Sequence, residues 1–221
     1  MYIPRFNAPP SQDDVTRLLL STRAGDLITV GKDGLTASMI PFLYDDSRGE
    51  HGSLLGHLAR PNGQWQDAAG HEALVLVHGP DGYVSPTWYA AKREHGRVVP
   101  TWNYVLVGVH GTLVVHDDLE WTRDIVERLT QTRENDRSHP WAISDAPDAY
   151  IAGQLRAIVG IEIEIDRLEA KWKLSQNRSA ADVAGVIAGL QAGGTDDERA
   201  VAAAMADVEA RRPTKPAERH G

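Results

Sequence analysis

Ile161-Glu-Ile-Glu-Ile165 alternates apolar and acidic residues without a break. A period of two buries one face of a strand and scatters its apolar residues around a helix, so this segment is a strand with one dry and one wet side. A register slip of one residue would turn every isoleucine to solvent, so its place in a sheet is fixed. Two helical patterns precede it, and the strand must therefore rejoin a sheet built earlier in the chain.

That earlier sheet is legible. Ser11 with Asp14 forms a capping box ahead of Val15, Leu18 and Leu19, giving a short helix that ends at Ala24 and Gly25. Leu27 to Val30, the turn Gly31-Lys-Asp-Gly34 and Leu35 to Tyr44 spell a hairpin, and Ser53 to Ala59 a third strand. His71 to Val77, Gly82 to Tyr89 and Val98 to Val115 continue the pattern, with His-Gly-Pro-Asp-Gly at 78 to 82 and His95-Gly96 as turn signals. At least six strands with short connections predict an antiparallel barrel or sandwich, mainly β with flanking helices.

Asp118 caps a helix whose inner face is Trp121, Ile125, Val126 and Leu129. A second helix starts near Asp145 with Pro147 in its first turn, buries Ile151, Leu155 and Ile158, and ends at Gly160. After the alternating strand come Lys171-Trp-Lys-Leu-Ser-Gln-Asn-Arg178 and two helices opened by capping boxes, Ser179 with Asp182 and Thr195 with Glu198. Val183, Val186, Ile187 and Leu190 mark the inner face of the first. From Arg211 the Pro- and charge-rich tail has a disordered composition.

The 221 residues, 42% of them apolar, suit one domain or one domain with an appendage. The absence of Cys removes disulfides, thiolate metal sites and thiol nucleophiles. No apolar run approaches the roughly 20 residues of a membrane span, and Arg5 and the prolines interrupt any leader in Met1 to Pro10, so a cytoplasmic setting is expected. A net charge of -8 opposes general affinity for nucleic acid, and the basic clusters Lys92 to Arg97 and Arg167 to Arg178 read as a solvated turn and a polar loop.

Phosphate-loop, dinucleotide-fold, zinc-protease and hydrolase-elbow motifs are all missing. His110 and His116, six residues apart on one strand, raise a metal or haem pair, but no carboxylate at ligand spacing accompanies them. Gly56-His-Leu-Ala-Arg-Pro-Asn-Gly-Gln-Trp65 sets an Arg, an Asn and a Gln just past a strand end, either a polar turn or a place to hold a phosphate. Val84-Ser-Pro-Thr-Trp-Tyr89 and Val99-Pro-Thr-Trp-Asn-Tyr104 gather four large rings in a chain of only fourteen aromatics, either a core patch or an interface.

In order along the chain, MYIPRFN, the Leu-Ile-Thr-Val strand, Pro41, GHLARPN, VSPTWY with Lys92, VPTWNY, HGTL and KWKLSQNR resemble the PaiB-type FMN-binding negative transcriptional regulators. The resemblance runs from Met1 to about Leu190. It implies a split barrel like that of pyridoxamine-phosphate oxidases, a homodimer, and FMN at the subunit interface. It divides the chain into a split-barrel domain over 1–192 and a C-terminal helix with its tail over 193–221.

By that analogy the strand at Ser38 to Pro41 approaches the flavin ring, as do His57, Leu58 and Ala59, while Arg60 neutralises the phosphate with Asn62 assisting. The second subunit brings Trp88, Lys92, Trp102 and Asn103, with Lys92 stabilising the reduced flavin. The Lys171 to Arg178 motif, with Trp172, Ser175, Gln176 and Asn177 as its hydrogen-bonding groups, belongs to the pocket or its rim by that analogy, while its residues alone equally allow a capped turn leading into a helix over 180–191. A hairpin turning near His95-Gly96 would set Trp88 and Tyr89 opposite Trp102 and Asn103 as one aromatic cluster. Two activities follow: a cytoplasmic FMN-binding regulator, or a flavin-dependent oxidoreductase on a small substrate. A haem-binding split barrel, motivated by the histidines, is the third.

Overall fold

The computed structural model describes residues 1–21 and 24–212. Its strands are β1 (Gly25–Gly31), β2 (Gly34–Ile40), β3 (Leu43–Asp45), β4 (Ser53–Ala59), β5 (Glu72–Val84), β6 (Thr101–His116) and β7 (Ile158–Lys173). They form one seven-stranded sheet in the order β2-β1-β5-β6-β7-β4-β3. The ladders of β1 with β2 and β5, of β3 with β4, and of β4 with β7 are antiparallel. The edge strand β2 approaches β4 without pairing with it, so the sheet curls toward a barrel and stays open. This is the split-barrel class expected of the sequence.

The alternating segment rejoins the sheet as β7, and Ile161 to Ile165 pairs in part with β4. Its wet face is nevertheless dry at one point. Glu162 is only 5% exposed, because Arg48 Nη1 donates to both its carboxylate oxygens at 3.2 Å and His116 Nε2 lies 2.9 Å away. A carboxylate is tolerated at this depth because it is paired.

The helices are α1 (Gln12–Ser21), α2 (Gln64–Asp67), α3 (Ala91–His95), α4 (Leu119–Glu134), α5 (Asp148–Arg156), α6 (Ala180–Gly193) and α7 (Asp196–Ala210). The expected caps form. Ser11 Oγ accepts from Asp14 N–H, Asp118 from Trp121 N–H, Ser179 from Asp182 N–H, and Thr195 and Glu198 cap each other. No helix among the described residues is long and apolar enough to cross a membrane.

The chain groups into two compact units. One comprises Thr16–Val77 and Val107–Glu169; the other comprises Met1–Val15, His78–Leu106 and the chain from Ala170 onward. In the first, α4 lays Ile125 and Leu129 on Leu55, flanked by Leu43 and Trp121, while Ile151 and Leu155 of α5 pack on Ile143 with Val126 and Ile158 alongside. Each fully buried Leu or Ile of this kind contributes roughly 1.5–3 kcal/mol. In the second, α6 packs on α7, burying Val183, Val186 and Leu190 of one and Val201, Ala202 and Met205 of the other.

Five local expectations are corrected. The helix expected to end at Gly160 stops at Arg156, and Ile158 and Gly160 belong to β7. The turn expected at His78 to Gly82 does not form, because β5 runs through it. Gly79 and Gly82 serve close packing instead: a Cβ there would press on Val105 and Val201 respectively. The strand expected over Leu35 to Tyr44 is broken after Ile40, where Pro41 cannot donate to a ladder, and resumes as β3. Residues 84 to 104 are no hairpin: β5 stops at Val84, Pro86–Trp88 form a 3-10 turn, α3 follows, and β6 begins only at Thr101. Finally, Arg211 and Arg212 are held. Arg211 bonds Asp14 and Asp207, and Arg212 donates to backbone carbonyls. The rest of the expected disordered tail lies outside the described residues.

Candidate functional site

The segment KWKLSQNR ends β7. Strand alternation buries Trp172 and Leu174 and turns Lys171 and Lys173 to the opposite face. The chain then reverses at Ser175, which holds a left-handed φ of 67°. Leu174 N–H donates to Gln176 Oε1 at 2.8 Å, Gln176 Nε2 donates to the Trp172 carbonyl, and Arg178 N–H donates to the Ser175 carbonyl at 2.9 Å. This wrapped turn brings Ser175, Asn177 and Arg178 to a cavity of about 400 Å³ that Lys171, Lys173, Thr101, Asn103, Tyr89, Tyr2 and Phe6 also line.

The electrostatics of the cavity are cationic and aromatic. Lys171 Nζ lies 5.4 Å from the Tyr104 ring centroid and 5.8 Å from that of Tyr2, and Lys173 Nζ lies 5.8 Å from that of Tyr104. Lys173 donates to Thr101 Oγ1 at 2.7 Å and to the Trp102 carbonyl. Burial, and secondarily the neighbouring Lys171, pulls the Lys173 ammonium below its ordinary pKa. The Arg178 guanidinium sits 4.8 Å over the Tyr89 ring.

Tyr89 is 1% exposed, and its Oη makes no well-formed hydrogen bond among the described residues, although Ser175 and Arg178 lie near enough to act on it. Burial raises its pKa, which keeps it a neutral phenol with a proton to donate. Asn103 is wholly buried, its Oδ1 accepting from Ser175 Oγ at 3.1 Å and its Nδ2 donating to Met205 Sδ at 3.3 Å. Three cations, aromatic faces and several hydrogen-bonding groups around one cavity suit a flat anion. The volume lies in the roughly 300–1,000 Å³ range of small-molecule sites.

Of the residues singled out from sequence, Asn103, Ser175 and Asn177 line this cavity, and Gln176 shapes its turn. Trp88, Tyr89, Trp102 and Tyr104 do not form one cluster. Trp88 packs on α6 at Gly185 and Gly189; Trp102 faces outward, edge-on to Tyr83 at 6.2 Å, with Nε1 donating to Asp81 at 2.8 Å. Lys92 is exposed on α3.

In the other unit, Asn62 Nδ2 donates to Ser38 Oγ at 3.2 Å, and Asn62 Oδ1 accepts from Gln64 N–H at 3.0 Å. Leu58 is buried and Ala59 exposed, while His57 has a buried Nδ1 with no partner, and burial lowers its pKa. Arg60 is engaged by the protein itself. It donates to Asp117 at 2.6 and 3.2 Å and to the carbonyls of Arg156 and Ile158 at 2.9 and 3.0 Å.

A larger groove of about 680 Å³ in the same unit is lined by Glu50, Glu162, Glu164 and Asp166 with Arg48 and His51, a charge balance that repels an anion. His110 and His116 keep separate partners, Glu72 and Glu169 for the first, Glu162 and the stacked Trp121 ring for the second. Among the described residues no cluster of three or more ligating side chains is placed to hold a metal.

Sequence reasoning missed Tyr2 and Phe6 as lining residues; it placed the Lys171 to Arg178 motif at the pocket or its rim and Tyr89 in an aromatic cluster, without singling out Tyr89, Lys171, Lys173 or Arg178 as ligand contacts. As a basic cluster the segment reads as a polar loop, and the resemblance places its motif at the pocket without ranking its lysines. Their signal was the Lys-x-Lys spacing at a strand end, which puts both on one face.

Residues 1–167 match the model of the family described as "Putative FMN-binding domain". An uncharacterized protein of Emericella nidulans is 33% identical, over 91% of this chain and 95% of its own. The protease synthase and sporulation protein PAI 2 of Bacillus subtilis is 29% identical, over 86% of this chain and 89% of its own. Among solved structures, the FAD and heme binding protein of Mycobacterium smegmatis shares the fold at a TM-score of 0.55 and 19% identity, covering 85% of this chain and 80% of that one. A conserved hypothetical protein of Mycobacterium tuberculosis does so at 0.56 and 12% identity, covering 80% and 92%.

Proposed function

Because this chain belongs to the family of FMN-binding domains and FMN is its cofactor, we propose that the cationic cavity around Lys173 holds the flavin and that the protein is a homodimeric regulator of transcription. The observation that carries the placement is the convergence of Lys171, Lys173 and Arg178 with Asn103, Ser175 and Asn177 on one cavity. The cavity fits the group. A phosphate dianion calls for fixed cationic donors, a flat ring calls for aromatic walls, and the buried Tyr89 Oη is a donor without a well-formed hydrogen bond.

Bound FMN supplies one- and two-electron redox chemistry, and the protein supplies binding, orientation and charge. Lys171, Lys173 and Arg178 neutralise the anion; Asn103, Ser175, Asn177 and Tyr89 orient it; Tyr2 and Phe6 offer apolar cover. Homodimerisation is supported by the exposed side chains Val30, Leu35 and Met39 of the β1–β2 hairpin. Lys92 and Trp102, both exposed, are the residues a second copy would present to the flavin. Ser38, His57, Leu58, Ala59, Arg60 and Asn62, all in the other unit, are the alternative placement of the flavin, in which Arg60 would have to exchange Asp117 for the phosphate.

A flavin-dependent oxidoreductase is the second reading. One observation favours it: a lysine of lowered proton affinity on the cavity wall gives up its proton more readily than an ordinary lysine.

Titration of the purified protein with FMN and with riboflavin tests the placement. FMN should saturate with an affinity at least about tenfold above riboflavin, as expected of a charge-assisted phosphate contact, and Lys173→Met should erase that preference. Equal affinities, or no flavin binding, would remove the cavity as the phosphate site. Salt-sensitive retention of a promoter fragment favours the regulator; reduction of the bound flavin by a nicotinamide cofactor favours the oxidoreductase.

A further inference from the structure

The turn that forms the polar wall of this cavity is not held by local contacts alone. Ser175 at φ 67° is in a left-handed conformation, which a residue with a Cβ keeps only when its surroundings over-determine it. The Gln176 side chain provides part of that constraint from within the turn.

The rest comes from α7 and the residues that close it. Arg212 Nη2 donates to the carbonyl of Gln176 at 2.9 Å and to that of Arg178 at 3.0 Å, while its Nη1 is gripped by both carboxylate oxygens of Glu209 at 3.2 Å. One guanidinium nitrogen thus bridges two carbonyls on either side of Asn177. Nearer the middle of the helix, the buried Met205 accepts from Asn103 Nδ2, and Asn103 in turn accepts from Ser175 Oγ. Arg211 fixes the same helix end through Asp14 at 2.7 Å and Asp207 at 2.9 Å. The turn is therefore anchored to one helix from two directions. Both the turn and the helix lie beyond residue 167, where the family match ends.

We propose that α7 positions the flavin-binding turn, with Arg212 and Met205 as positioning residues that do not themselves touch the ligand. The inference rests on the cavity being the flavin site. With both carbonyls fixed, Ser175, Asn177 and Arg178 are presented in one arrangement, and the ligand need not order them on binding. Without Arg212 the turn samples other arrangements, and the cost of selecting one is subtracted from affinity.

The test compares Arg212→Ala, Arg212→Lys, Met205→Leu and Lys173→Met in the full chain. It reads FMN affinity by fluorescence quenching, anisotropy of the bound flavin, and melting temperature without FMN. Loss of two ordinary hydrogen bonds predicts FMN binding weakened by about 5- to 20-fold in Arg212→Ala, with lower anisotropy of the bound flavin and largely restored affinity in Arg212→Lys. Met205→Leu preserves the packing and removes the sulfur acceptor, so its loss should be smaller, about two- to fivefold. If Arg212→Ala and Met205→Leu both bind FMN like the parent while Lys173→Met does not, the positioning role falls and the cavity assignment stands. If Lys173→Met also binds normally, the cavity assignment falls and takes the positioning role with it. Should Arg212→Ala fail to fold, Met205→Leu decides by the same criterion.

Discussion

Lys173 and Tyr89 show what burial does to two side chains on one wall. It penalises the charged form of each, so the lysine loses proton affinity and the phenol retains its proton. For the lysine, the folded pKa lies below the unfolded value of about 10.4. Between those two values the folded chain binds fewer protons than the unfolded one, so the stability of the free protein rises with pH across that window. A bound phosphate reverses the preference by favouring the ammonium. Above the lowered pKa FMN binding should therefore take up a proton, and affinity should fall as pH rises through that pKa. Fluorimetric titrations across alkaline pH would show this slope in the parent and a flat profile in Lys173→Met; a slope that survives the substitution would assign the proton elsewhere. Tyr89→Phe separates binding from stability by sign. The free protein loses a buried hydroxyl that makes no well-formed hydrogen bond among the described residues, so its melting temperature should hold or rise, whereas FMN affinity should fall by about two- to tenfold for one hydrogen bond.

At the scale of elements, α6 is shaped by what it must lie against. Gly185 and Gly189, one turn apart, face the Trp88 backbone carbonyl and the Trp88 ring, and a Cβ at either would collide with them. Gly189→Ala sets two effects against each other. Helix propensity gains at most about 1 kcal/mol, while overpacking against a large ring costs typically 1–3 kcal/mol. The second wins, and the melting temperature should drop by about 2–6 °C for a chain of this size; an unchanged or higher value would mean that Trp88 yields freely. This contact also marks the limit of what the sequence disclosed. The periodic elements were readable because burial enforces their periods: the Ile161 to Ile165 alternation, the Ile125 and Leu129 face of α4, and the caps of α1, α4, α6 and α7. Glycines were ambiguous, since the same residue marks a turn at Gly34 and a close approach at Gly79, Gly82, Gly185 and Gly189. Only tertiary contacts tell these apart. The cavity was half legible for the same reason. Asn103, Ser175 and Asn177 sit in motifs whose resemblance pointed to them, but Tyr89 and Lys173 owe their character to burial. The Arg60 to Asp117 pairing joins residues far apart in the chain that no local pattern connects.

At the scale of the whole molecule, the chain is acidic overall, at -8, yet gathers three cations around one cavity. Such a charge distribution attracts small anions at one place and repels the polyanionic backbone of DNA elsewhere. A regulatory role is then best served by flavin state acting through a protein surface, and the β1–β2 hairpin offers one. Val30 stands directly opposite Leu35 in the ladder, and Ala37 and Met39 follow Leu35 at intervals of two, so the exposed apolar residues share a face. Val30, Leu35 and Met39 are 65%, 78% and 76% exposed in the isolated chain. An uncovered apolar edge of this kind favours association, and a second copy is the partner the homodimer reading requires. Leu35→Lys combined with Met39→Lys should convert a dimer into a monomer in sedimentation velocity at micromolar concentration. The monomer itself should remain folded, because side chains this exposed give up few internal contacts. A parent protein that sediments as a monomer would sink the dimer. A double variant that remains dimeric would move the interface to another face, and Trp102 and Lys92 would then be the next residues to change. If the monomeric variant also loses FMN, flavin binding and association share a surface. If it keeps FMN at full affinity, the cavity is complete within one chain and the dimer serves regulation alone.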